Sequence, residues 1–129
     1  MLTGETFTAL QRHEIDKAVR EAERLSGRDF AVHVGPSDGD SRQAAEALHA
    51  SMRRPRNSVL IHVDLGKRTL EIVTGASVRE VMTNRQAALA ALSMQTTFVT
   101  GDLTRGLRAG LQQLATMACS VDCLHTDTP

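Results

Sequence analysis

The fold of this chain is decided by residues 57–75, which read NSVLIHVDLGKRTLEIVTG. Two runs rich in Val and Ile, residues 58–64 and 69–74, flank the polar segment 65–68. This pattern is typical of a β-hairpin. The sequence on either side predicts helices, apart from one further strand. We therefore expect the hairpin to form the centre of a small sheet that helices cover.

Upstream of the hairpin, the chain predicts a helix, a strand and a second helix. Apolar residues recur every three or four positions over residues 7–26, and Gly27 is a stop signal. Residues 30–34 read as a strand, and residues 42–52 read as a helix that Asp40 or Ser41 caps. A strand, a helix and a strand in this order predict a right-handed crossover between two parallel strands.

Downstream, the chain predicts three more helical segments. Residues 77–82 fit a short helix, and residues 85–94 fit a helix whose apolar run, 87–92, predicts burial on most sides. Residues 95–101 read as a connection in which Phe98 and Val99 suit a short edge strand. Asp102 is the candidate N-cap of the last helix, and two glycines four residues apart beside its apolar stripe predict a close approach to another element.

Length and composition limit the class of protein. The 129 residues predict one α/β domain over residues 1–118, in which helices pack over a small mixed sheet of three to four strands. Residues 119–129 are polar and aperiodic, and we expect a disordered tail there. The formal net charge is zero and aromatic residues make up 2%, so the basic excess and stacking rings typical of nucleic-acid binding are absent from the sequence.

The sequence also predicts where the protein works. No apolar run reaches the roughly 20 residues that span a bilayer, so we expect no membrane insertion. The first six residues have neither a basic nor an apolar region of a secretory signal, and we expect a cytoplasmic protein. Cys119 and Cys123 form no disulfide framework, and with His125 they resemble a metal set only in spacing, so reduced thiols are the favoured interpretation.

The best candidate for a metal site is an acidic, oxygen-rich edge of the sheet. Asp38 and Asp40 follow the first predicted strand, and Asp64 ends the parallel strand beside it. Ligands of open α/β sheets bind at the carboxyl ends of strands, and Ca²⁺ or Mg²⁺ prefers clustered oxygen ligands. Asp102 is the fourth candidate ligand. Capping and turn geometry form the alternative explanation for these residues.

Histidines offer a second kind of site. His33 and His62 occupy equivalent positions in two strands predicted to be parallel, so they point to one face, as a metal or acid–base pair requires. A pair of hydrogen-bonded core histidines is the alternative. His49 is expected at the surface. No glycine-rich phosphate loop and no serine elbow occurs, so neither nucleotide binding nor serine catalysis has support from a motif.

The order and spacing of these segments resemble a known family. Residues 30–35, 44–49, 58–63 and 68–75, and the ending FVTGDLTRGL at 98–107, are similar to TPM domains. Residues 88–94, ALAALSM, further resemble the uncharacterised actinobacterial branch of that superfamily. The resemblance spans residues 7–118 and implies a three-layer α/β/α domain. It also implies links to weak acid-phosphatase activity, calcium binding and support of membrane complexes.

Two functions follow from these observations. The first is a small TPM-like binding or interaction module with an unknown protein partner, present as a monomer or as a weak homodimer that forms through an exposed sheet edge. The second is a weak metal-dependent phosphatase that uses the acidic strand-end loops. The sequence contains no catalytic motif that decides between them.

Overall fold

The computed structural model describes residues 2–3 and 7–119 of the chain, with only the backbone described at positions 2, 3, 98 and 99. Strands and helices alternate along most of the chain. Two single 3₁₀ turns, Pro55–Asn57 and Val78–Glu80, connect them. The elements are β1 Leu2–Thr3, α1 Ala9–Ser26, β2 Asp29–Val34, α2 Ser41–Ala50, β3 Ser58–Asp64, β4 Thr69–Thr74, α3 Asn84–Thr100 and α4 Leu103–Ala118.

The sheet is small and mixed, as the sequence predicts. Its strand order is β1-β2-β3-β4, in which β1, β2 and β3 are parallel and β4 is antiparallel to β3. Only β3 of the hairpin lies in the interior, because β4 forms one edge of the described sheet. Strand β1 was not predicted: its two residues pair with Val32 and His33, and so short a segment carries no periodic signal.

Helices cover both faces of the sheet and complete the three-layer α/β/α architecture. On one face, α1, α3 and α4 pack on the alternate strand residues Val32, Val59 and Ile61. On the other face, α2 contributes Ala45 to a small cluster with Leu60 and Val73. All seven residues of β3 are buried, because this strand has helices above and below it and a neighbour on each side.

The predicted connection over residues 95–101 is wrong, because α3 continues to Thr100 and ends at Gly101 in the left-handed conformation. Phe98 and Val99 favour a strand by composition, but the packing of α3 on α4 favours a helix over this segment. The apolar run of α3 is also less buried than predicted. Leu89 and Leu92 are 57% and 59% exposed, since the helix covers the sheet with one side only. The predicted helix at 77–82 shortens to the turn Val78–Glu80.

Side-chain caps fix where the helices begin. Thr8 and Thr83 each form a capping box with a glutamine three residues later, while Asp40 and Asp102 accept a backbone N–H of α2 and α4. Such caps satisfy donors that the first turn leaves unpaired. Asp40 and Asp102, which the sequence predicts as metal ligands, therefore act as helix N-caps in the structure.

Helices α3 and α4 approach closely at two glycines of α4, which confirms the predicted close approach. A Cβ atom at Gly106 would overlap Thr97 of α3, including a distance of 2.9 Å to its Cβ atom. A Cβ atom at Gly110 would overlap the side chain of Met94. Larger side chains at these positions would force the two helices apart.

The membrane prediction and the predicted C-terminal tail can now be compared with the structure. None of the helices in the described ranges is long and apolar enough to cross a membrane. Cys119 is buried, and its Sγ atom donates a hydrogen bond of 3.5 Å to the Leu25 carbonyl oxygen. The predicted disordered tail from residue 120 onwards, with Cys123, lies outside the described residues.

Candidate functional site

The carboxyl ends of β2 and β3 lie side by side and carry two loops. Residues 35–40 lead from β2 to α2, and residues 65–68 form the turn between β3 and β4. This edge has two sides. One faces α2, and the other faces the layer of α1, α3 and α4.

Asp64 joins the two loops on the α2 side. Its side chain is 3% exposed and accepts three hydrogen bonds: from the backbone N–H of Lys67 at 3.0 Å, and from the N–H and the hydroxyl of Ser37 at 3.0 and 2.9 Å. The Lys67 and Ser37 amides favour the charged carboxylate, so they lower the pKa of Asp64 to about 2. Asp64 is thus ionised at neutral pH and holds both loops in place.

A chain of polar contacts extends from Asp64 to α2. The Ser37 and Ser41 hydroxyls are 3.4 Å apart, and the Thr69 hydroxyl donates to Ser41 Oγ at 3.0 Å. The Lys67 ammonium donates to the Gly39 carbonyl oxygen. These contacts attach the start of α2 to the hairpin.

The four predicted metal ligands do not lie in one cluster. Asp38 and Asp40 are exposed in the loop beside Asp64, and Asp40 accepts the Arg42 N–H at 2.7 Å. Asp102 lies on the other side of the edge, where it accepts the Arg105 N–H at 3.2 Å. Over residues 7–119, no group of three or more histidine, cysteine or acidic side chains is arranged to hold a metal ion.

The two strand histidines do share one face, as predicted. The rings of His33 and His62 are stacked with centroids 5.1 Å apart, and Glu71 is the register partner of His62 on β4. His62 is 1% exposed, and within the described part of the chain neither of its ring nitrogens has a hydrogen-bond partner. Burial, with help from the charge of His33, lowers the pKa of His62.

His49 is not at the surface, and that prediction is wrong. It is 9% exposed, and its Nε2 atom lies 3.1 Å from the Ser58 carbonyl oxygen. It occupies the sheet-facing side of α2, where a ring nitrogen satisfies a carbonyl at the start of β3.

A cleft of about 310 Å³ opens on the other side of the edge, and we call it the strand-end cleft. It lies between the hairpin turn, the beginnings of α1 and α4, and the end of α3. Its apolar wall comes from Phe7, Leu65 and Leu103. Its polar lining is formed by Gln11, Arg68, Thr97, Gly101, Asp102 and Thr104.

Arg68 is the unusual residue of the strand-end cleft. Among the described residues it is the only one other than glycine with a positive φ, 55°. That conformation costs a residue with a Cβ atom roughly 1 kcal/mol or more. Arg68 is exposed, and it belongs to none of the ion pairs found in the described part of the chain.

The sequence indicated the cleft only in part. Asp102 was selected for a different reason, and Leu65 and Arg68 were assigned to a turn without a role. One signal was available: the last position of a four-residue hairpin turn often requires positive φ, where glycine or asparagine is usual and this chain has arginine. The contribution of Phe7 and Gln11 depends on the packing of α1 beside α4, which local sequence does not reveal.

Comparison with known proteins gives a family and a fold. The sequence model of a protein family described as a domain of unknown function, DUF5130, matches residues 2–115. The BA42 protein of Bizionia argentinensis has a similar structure, with a TM-score of 0.77, 22% identity, and coverage of 88% of this chain and 82% of that one. The N-terminal domain of a P. gingivalis protein follows, with a TM-score of 0.73, 20% identity, and coverage of 90% and 78%. The N-terminal domain of cg2496 from Corynebacterium glutamicum has a TM-score of 0.70, 14% identity, and coverage of 93% and 79%.

Proposed function

We propose that this chain, which belongs to the DUF5130 family of domains of unknown function, is a small binding module whose strand-end cleft holds a short segment of a partner protein. The segment we infer carries an apolar side chain next to an acidic group. Placement in the TPM superfamily and its actinobacterial branch, and a cytoplasmic location, belong to the same proposal and rest on the sequence resemblance and composition.

Arg68 is the observation that carries this proposal. Its backbone holds an unfavourable conformation, and its cationic side chain lines a cleft with apolar walls. Residues held in rarely populated conformations concentrate at ligand-binding sites. The volume of about 310 Å³ lies at the lower end of the range for ligand pockets, which suits one or two side chains of a peptide.

A titration of the ¹⁵N-labelled protein with acidic tetrapeptides that contain leucine or phenylalanine tests the proposal. We expect amide shifts at Gln11, Leu65, Gly101 and Thr104, and their loss in Arg68→Ala. The control peptides carry lysine in place of the acidic residues. Shifts that are absent, that map elsewhere, or that persist in Arg68→Ala would contradict the proposal.

A control variant separates the cleft from overall charge. Arg85→Ala removes the same charge from an exposed position in the first turn of α3. Arg85 lies twelve residues before Thr97, which is about 18 Å along the helix. We expect Arg85→Ala to bind the acidic peptides as the wild type does.

The alternative function is a weak metal-dependent phosphatase that uses Asp38, Asp40, Asp64 and Asp102. One observation favours it: Asp64 is ionised at neutral pH, with its pKa near 2, beside the exposed carboxylates of Asp38 and Asp40. Against it, the three hydrogen bonds that Asp64 accepts occupy both of its oxygens.

Thermal unfolding with metal decides between the two functions. Binding of Ca²⁺ or Mg²⁺ to the folded state would raise the melting temperature as the metal concentration rises, and Asp38→Asn would remove the rise. We expect no shift up to millimolar metal if the domain is a binding module only. A rise that Asp38→Asn abolishes would favour the phosphatase.

A further inference from the structure

A second surface lies between α1 and α4. These two helices run parallel and form a groove of about 820 Å³ on the outside of their layer. We call it the α1/α4 groove. Its middle is lined by small residues, of which Ala18 and Ala109 reach the surface while Ala22 and Ala115 are buried between the helices.

Arginines stand at both ends of this groove. Arg105 and Arg108 of α4 line one end, and Arg24 of α1 lines the other beside Leu25, which is 39% exposed. Glu21 is the single acidic residue of the lining. The groove therefore carries a positive excess although the whole chain is neutral.

These arginines are largely available to a partner. Arg108 lies 3.8 Å from Glu14, and their side chains are 55% and 40% exposed, so solvent weakens this pair. Arg24 and Arg105 are exposed and belong to none of the ion pairs between residues 7 and 119. A partner that brings carboxylates would gain attraction at both ends of the groove.

We propose that the α1/α4 groove is a docking surface for an acidic amphipathic helix of another protein. The small side chains of Ala18 and Ala109 at the surface allow a third helix to come near the lower limit of the 8–10 Å typical of packed helices. A leucine ridge of that helix would lie over the alanines and meet Leu25 at one end. Burial of such a ridge is the usual mode of helix recognition by a groove.

The positions of the arginines set the spacing of the acidic residues. Arg108 is level with Glu14 of α1, and Arg24 follows Glu14 by ten residues, or about 15 Å along the helix. The partner helix therefore carries acidic residues about ten positions apart. A second copy of this chain is a poor occupant, because two positively charged grooves repel each other.

An 18-residue peptide with leucine and alanine on one face and glutamates ten positions apart is the probe. We expect its binding to the full chain, followed by ¹⁵N NMR and calorimetry, to shift amides of α1 and α4 that line the groove and to leave the strand-end cleft unchanged. Arg105→Glu/Arg108→Glu should weaken binding at least tenfold. A peptide in which only the glutamate facing Arg105 and Arg108 is replaced by lysine should bind this variant more tightly than it binds the wild type.

Matched variants make the result decisive. Arg20→Glu/Arg85→Glu changes the net charge equally at exposed positions outside the groove lining and should bind as the wild type does. Ala109→Leu fills the groove from an exposed position and should weaken binding without loss of the fold. Unchanged affinity in both groove variants, or shifts that map to another face, would overturn the proposal. Binding to phosphatidylglycerol vesicles with the same arginine dependence, and none to the peptide, would assign the groove to a membrane surface instead.

Discussion

At the scale of single residues, Arg68 is expected to lower the stability of the fold while it contributes to peptide binding. Glycine at this position adopts the positive φ without cost, so Arg68→Gly should raise the free energy of unfolding by roughly 1 kcal/mol and the melting temperature by about 3–5 °C. The same change should abolish binding of the acidic tetrapeptides. Calorimetry and peptide titration on one preparation test both effects. A variant that is less stable than the wild type would show that Arg68 serves the turn and not the cleft.

His62 should make stability fall as the pH drops below about 6.5, the ordinary pKa of histidine. Its pKa is lowered in the folded protein from the ordinary 6.5, so below that pH the unfolded chain binds the proton more readily and folding is weakened. His62→Leu removes this dependence and also removes two buried nitrogens without partners. We expect the variant to gain more stability over the wild type at pH 5.5 than at pH 8, by urea denaturation.

A second histidine provides the comparison for that experiment. His13→Ala changes an exposed position of α1 and should keep the pH dependence of the wild type. Equal dependence in the wild type and in His62→Leu would mean that the proton binds elsewhere.

The sequence located single residues better than it assigned their roles. Alternation along the strands placed His33 and His62 on one face, and the strand order placed Asp64 at the loop edge. The same alternation cannot show that Asp64 already accepts three hydrogen bonds, because its donors lie 27 residues before it and three residues after it. His49 was misjudged because helical spacing does not show which carbonyl lies below a helix.

The contact between α3 and α4 is sensitive to the size of the side chain at Gly106. Gly106→Ala should lower the free energy of unfolding by about 1–2 kcal/mol, because overlap with Thr97 outweighs the roughly 1 kcal/mol by which alanine favours a helix. Urea denaturation measures the change. The double variant Gly106→Ala/Thr97→Ala removes the two closest atoms, Cγ2 and Oγ1 of Thr97, and should recover most of the loss. A single variant more stable than the wild type would contradict the close approach.

Element boundaries were predicted where local chemistry decides them. The caps Asp40 and Asp102 and the stop at Gly27 were predicted from the sequence and are present in the structure. The end of α3 was missed because residues 95–100 have no helical pattern of their own. Packing on α4 carries the helix through them to Gly101, where the positive φ of 79° ends it.

At the scale of the whole molecule, two arginines cover part of the sheet edge formed by β4. The Arg42 guanidinium donates to the Ile72 carbonyl oxygen at 2.8 Å, and Arg79 donates to the Thr74 carbonyl oxygen, so part of the β4 edge is already paired. Open strand edges otherwise recruit further strands. Arg42→Ala/Arg79→Ala should therefore associate at lower concentration than the wild type, as static light scattering would show.

A charge-matched pair completes that experiment. Arg20→Ala/Arg85→Ala removes two exposed arginines from helices and should keep the molar mass of the wild type at each concentration. If both double variants associate equally, loss of net charge is the cause and not the exposed edge.

The packing of α1 against α4 has a consequence for the way the chain is made. Helix α1 packs more extensively on α4 than on any other described element, although about 80 residues separate the two in sequence. Strands β2, β3 and β4 with α2 form one contiguous stretch and find their partners soon after synthesis, because their contacts are local. Helix α1, made before all of them, must wait for α4. During translation the part of its apolar face that α4 covers stays open until residue 118 has been made, so this early helix needs shielding in the nascent chain.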